Sequence, residues 1–85
     1  VTDLRDQLAD TAVIRLTDRR GIGHILWRLR TDAGISLDGI AHRLGISRSG
    51  AGRREALGFL PASALIEHAH ALGYDLALIP REDAP

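Results

Sequence analysis

The chain has 85 residues, 45% of them hydrophobic but only 4% aromatic, and its 11 arginines balance 11 acids to a formal net charge of zero. That length suggests one small domain spanning residues 1–85 with a modest core, and the composition fits a mainly helical fold better than disorder or a β-sandwich. Having no cysteine, the chain excludes a disulfide framework and a thiolate zinc site.

No apolar run approaches the roughly 20 residues needed to span a bilayer. No basic segment followed by an apolar one opens the chain, so a cytoplasmic location is the expectation. The chain starts on Val1 and contains no methionine, as a processed or excised piece would.

In chain order, residues 3–16 suit a first helix: Thr2 or Asp3 caps it, and Leu4, Leu8, Ala12 and Leu16 recur at intervals of four. Asp18 offers a fresh cap before Ile22, Ile25, Leu26 and Leu29, which predict a first core helix over 19–33 stopped by Gly34. Trp27 lies off that stripe and is expected to pack under the first helix. Ser36 caps a short helix whose stripe is Leu37, Ile40, Ala41 and Leu44, ending at Gly45. After the apolar anchor Ile46, Ser47 caps another short helix reaching about Ala56. Pro61 starts a supporting helix over 61–73, with Ala64, Leu65, Ala69 and Leu72 on its apolar face. "YDLALIP", residues 74–80, has the make-up of a short terminal strand.

The stretch "LGISRSGAGRREALG" is the least obvious part of this pattern, because four glycines in fifteen residues read as a loop. Two helices this short are marginal alone and must lean on each other. A steep crossing needs a small residue on the first helix, a tight turn, and a small contact on the second. Ala41, Gly45 and Ala51 supply these, with Ile40, Leu44 and Ile46 filling the wedge. That is a helix-turn-helix unit over 36–56, whose second helix presents its outer face. Gly50 and Gly52 are each unfavourable inside a helix by about 1 kcal/mol against Ala. Backbone access to a partner, or a helix over 47–56 that firms up only when bound, is the expected gain against that cost.

"LRTDAGISLDGIAHRLGISRSGAGRRE" followed by "LIEHAHALGYDLAL" resembles the lambda repressor/Cro-like (XRE-type) helix-turn-helix family over residues 22–78. The resemblance implies a five-helix, lambda-repressor-like domain, here with an extra N-terminal helix and a short C-terminal strand. By position, Arg48, Ser49 and Arg53 fall where members contact bases, and Ser36 where the preceding helix grips phosphate. Leu37 stands in place of the family's glutamine, and Arg54 in place of an apolar residue. Arg30 and Glu55 match a pair that ties the first core helix to the recognition helix.

The residues themselves sharpen these expectations. All basic residues are Arg, the side chain suited to bidentate contacts with phosphate or guanine, and between Gly39 and Arg54 there are four Arg and no acid. Arg48, at the start of residues 47–56, is the best placed to enter a major groove and pair with guanine. Arg53 lies about 140° around the helix from it, so the two point different ways. Ser47, Arg43, Arg54 and Arg28 are further phosphate candidates. One unit reads few bases, so a homodimer on a near-palindromic duplex operator is expected, with Tyr74, Leu76 and Leu78 pairing strand edges. No cofactor, metal, membrane or small-molecule effector is inferred, and no enzyme activity.

Other chemistries lack support. "GISRSG" starts like a phosphate loop, but Ala51 and Gly52 stand where Lys and Ser/Thr belong. Gly21 and Gly23 form only a G-x-G. His68 and His70 would point about 200° apart on a helix, and all four histidines are expected at the surface. Ser47 and Ser49 have no His/Asp partners for nucleophilic catalysis. The zero net charge weighs against nucleic acid. It keeps a second class open, an antitoxin-type or adaptor module that uses the same fold to bind protein.

Overall fold

The computed structural model describes residues 13–81 and 83. Among these, four α-helices follow one another: α1 (Arg19–Asp32), α2 (Leu37–Leu44), α3 (Arg48–Leu57) and α4 (Ala62–Ala71). The fold is mainly helical, as the composition implied. α1 packs on α3, α3 on α2, and α2 on α4.

Three of the four starts are capped by side chains. Asp18 Oδ1 accepts from Gly21 N at 2.6 Å, Ser36 Oγ from Gly39 N at 2.9 Å, and Ser47 Oγ from Gly50 N at 3.0 Å. Each satisfies an amide that the helix itself leaves unpaired. Pro61 sits one place earlier than expected: it is the N-cap of α4, with no side-chain bond to offer, and the helix begins at Ala62.

The turn between α2 and α3 depends on Gly45, which adopts φ 67°. That left-handed conformation carries little penalty only without a Cβ. It lets Gly45 N donate to His42 O at 3.2 Å and Ile46 N to Ala41 O at 3.0 Å, closing the end of α2 in a Schellman motif. Ile46 is thereby folded back against the core and Ser47 is delivered to the start of α3.

The core is one cluster of Leu26, Ile40, Ala41, Ala51 and Leu72, drawn from α1, α2, α3 and the end of α4. Leu29, Leu44 and Leu65, among others, are half-buried around it. Ile40 and Ala51 are wholly enclosed. Gly23 marks the closest helix approach: a Cβ there would lie 2.3 Å from the backbone O of Glu55. The G-x-G at Gly21 and Gly23 is thus a packing feature that lets α1 approach α3.

Several expectations are corrected. Residues 13–17 are not helical, so the first helix expected over 3–16 does not include its last turn; the remainder lies outside the described residues. Val13, Ile14 and Thr17 are β-branched and poor helix formers, and Asp18, at φ −157° and ψ 174°, starts α1 afresh. Residues 74–80 form no strand: a strand needs a neighbouring strand to pair with, and there is no strand among the described residues; Leu78 is 93% exposed. Trp27 is 45% exposed and stacks on His24, ring centroids 5.6 Å apart. The helix expected to cover it falls on undescribed residues. Gly50 and Gly52 lie inside an unbroken α3.

Candidate functional site

α3 is the element on which most of the singled-out residues stand, and its two sides differ. Ala51 is the side chain it buries, against Ile40 and Ala41 of α2. Opposite, Ser49 and Arg53 are both exposed, and a spacing of four puts them on one stripe. Arg48, the first residue of α3, is exposed at the seam with α2. Its Nε lies 3.4 Å from Oδ1 of Asp38, the second residue of α2. Arg48, Ser49 and Arg53 are therefore all exposed on α3, with Ser49 and Arg53 sharing a stripe and Arg48 set apart at the amino-terminal end.

Ser36 and Ser47 stand at the amino-terminal ends of α2 and α3 and use their Oγ lone pairs as caps. Their hydroxyl hydrogens stay available, so each can still donate to an anion. Two of the candidate arginines face other tasks. Arg43 is exposed, and its Nη1 donates to Ala71 O at 3.1 Å, closing a carbonyl at the end of α4. Arg54 is half-buried with Nη1 3.3 Å from His68 Nδ1. Arg28 sits apart on α1, its Nε 3.8 Å from Asp32 Oδ2 in an exposed i,i+4 pair.

Arg30 and Glu55 form a bidentate pair: Nε donates to Oε2 at 2.5 Å and Nη2 to Oε1 at 3.0 Å. Arg30 Nη1 also donates to Ile35 O at 2.9 Å. With side-chain exposures of 12% and 7%, the pair is shielded enough to act as a tie between α1 and α3. Glu55, through that hydrogen bond first, holds the Arg30 guanidinium above its ordinary range.

His68 corrects the expectation of four surface histidines. It is wholly buried. Arg54 can only donate, so Nδ1 is the acceptor and the proton sits on Nε2, which has no partner. Burial pushes the imidazole below its ordinary value, the Arg54 charge pushes it further the same way, and Glu55 opposes. The signal was present in the sequence: His68 lies three after Leu65 and four before Leu72, on the inward stripe of α4. Asp38 had no such signal, because only folding brings it beside Arg48.

Between α1 and α3 runs a wide-open shallow cleft lined by Arg20, His24, Trp27, Gly52, Glu55 and Ala56. Among the described residues, no three His, Asp or Glu side chains gather where they could hold a metal ion, and no helix is long and apolar enough to cross a membrane. Tyr74, Leu76 and Leu78 are exposed at 44%, 37% and 93%.

Comparison with protein-family models gave no match, and comparison with curated proteins gave none either. The reading of this surface therefore rests on its own chemistry.

Proposed function

We propose that this chain is a sequence-specific binder of double-stranded DNA that regulates transcription, in the manner of a Cro-like phage or bacterial repressor working in the cytoplasm. One observation carries the reading: α3 is docked by Ala51 across the Gly45 turn while Arg48, Ser49 and Arg53 face solvent. In that arrangement α3 lies in the major groove, with Arg48 and Arg53 offering guanidinium forks to base edges or phosphates and Ser49 a hydroxyl. Ser36 and Ser47 meet phosphate at the two helix starts, where the amide dipoles also favour an anion.

A single unit reads too few bases for tight discrimination. Two copies on a near-palindrome, with half-sites about one helical turn apart, complete the reading. The exposed segment with Tyr74, Leu76 and Leu78 is the dimer contact in this proposal: each copy offers the other an edge to pair with, and the terminal strand forms on pairing. Replacing Leu76 and Leu78 with Asp yields a monomer in sedimentation; a surviving dimer rejects this contact.

The experiment for the function is a selection from random duplex DNA with the purified chain, with the affinity then followed from about 50 to 200 mM salt. An enriched palindrome and a steep loss of affinity support the proposal. A second reading, a protein-binding module of antitoxin or adaptor type, draws on the zero net charge and on exposed apolar side chains such as Phe59 at 75%. No enrichment even at low salt transfers the argument to that reading.

A further inference from the structure

Asp38 is the acid that folding brings to the start of α3, and it stands beside the arginine best placed to read a base. Its Oδ1 lies 3.4 Å from Arg48 Nε, with the two side chains 78% and 69% exposed. Resting on the DNA-binding reading above, we infer that Asp38 is a positioning residue: it orients the Arg48 guanidinium so that a guanine is selected at the base pair Arg48 faces.

The chemistry follows from which nitrogen is engaged. A guanidinium offers two forks, one including Nε and one made of Nη1 and Nη2. An acid in ion-pair contact on the Nε side draws the first towards α2 and leaves the second open. That open fork matches the O6 and N7 acceptors of guanine, an edge no other base presents in the major groove. Two other arginines of the unit are committed differently: Arg43 and Arg54 each direct Nη1 to a partner within the fold, to Ala71 O and His68 Nδ1. Arg48 is held from its Nε side by an acid.

Asp38 is itself well fixed for this task. It is the second residue of α2, inside the first turn that Ser36 caps through Gly39 N, and its own side chain is short. Arg48 has a long side chain with many rotamers, and a nearby carboxylate narrows them before the base is met. A carboxylate here suits the amino-terminal turn of α2 but approaches a polyanion when DNA is bound. Orientation of Arg48 gives it a use that outweighs that repulsion.

The test compares the purified wild-type chain with Asp38→Ala, Asp38→Glu, Arg48→Ala and the Asp38→Ala/Arg48→Ala double variant in the same duplex selection. Affinities for the enriched site and for a scrambled duplex are then measured. With Asp38→Ala, the guanine preference at one position falls by about two- to fivefold, the range expected of an exposed ion pair. Binding to scrambled duplex does not weaken, since a negative charge has been removed. Asp38→Glu restores part of the preference, and once Arg48 is Ala, Asp38→Ala changes the base preference no further. Unfolding curves of the single variants stay close to wild type, because both side chains are exposed, so a misfolded protein is recognised at once. If Asp38→Ala enriches the wild-type motif unchanged, with tighter binding to every duplex, Asp38 merely repels DNA and the positioning role is overturned while the DNA reading stands. If the wild-type chain enriches no sequence, both are overturned together.

Discussion

Helices α2 and α3 are joined at Gly45 but are held by different forces. α2 encloses Ile40 and Ala41 and takes its place from apolar packing, a full isoleucine burial being worth about 1.5–3 kcal/mol. α3 is two residues longer yet encloses Ala51 alone. It is located instead by the Arg30–Glu55 pair on one side, the Arg54–His68 contact on the other, and the close approach at Gly23. A helix that keeps its outer side free, as the proposed DNA contact requires, has few side chains left to bury in the core. Polar ties from neighbouring helices can fix it without apolar bulk, and they impose orientation as well as contact.

Removing one tie should therefore rival removing a core side chain. Glu55→Ala strands the Arg30 guanidinium and costs about 3–5 kcal/mol in urea unfolding, while Ile40→Ala costs about 2–5 kcal/mol. A Glu55→Ala loss well under 1 kcal/mol would mean that α3 is held by its small apolar contact after all. Gly23→Ala is next: its methyl would meet backbone, not a flexible side chain, so α1 and α3 must move apart. The loss is about 1–3 kcal/mol, typical of overpacking, and an unchanged midpoint would show that the two helices slide freely.

The His68 tie makes stability depend on pH. Its folded value is depressed by burial and then by Arg54, so the unfolded chain takes up the proton first. Stability is complete above the unfolded value of about 6.5 and declines below it, by at most about 1.4 kcal/mol per pH unit, until the folded value is passed. His68→Leu should flatten that part of the stability profile; an equal slope in both proteins assigns the effect elsewhere. The smallest expected effect is a gain. Gly52→Ala places a methyl 3.4 Å from Leu37 Cδ2, a contact the leucine can accommodate, and raises stability by up to about 1 kcal/mol through helix propensity.

These contrasts also explain which parts could be read in advance. α2 was legible because its stripe and its cap lie within one short window, and Gly45 announces its end. α3 was recognised from its flanks, Ser47 in front and Ala51 at the right distance from Ala41, while its own glycines and arginines read as a loop. The Arg30–Glu55 pair came from a family resemblance, and no local pattern pointed to it. The helix expected to end at Leu16 had a stripe, but the β-branched residues near its end were given too little weight.

Local chemistry alone determined the capped starts at Asp18, Ser36 and Ser47, the glycine turn, the mainly helical class and the exposed arginine-bearing stretch. Caps, turns and periodic stripes act over a few residues, so a linear reading captures them. Tertiary structure decided the rest. Residues distant in sequence had to meet before His68 became a buried neutral group against Arg54, before Asp38 faced Arg48, and before Gly23 admitted α3. The partner of a charge, unlike the cap of a helix, is set by how the helices pack.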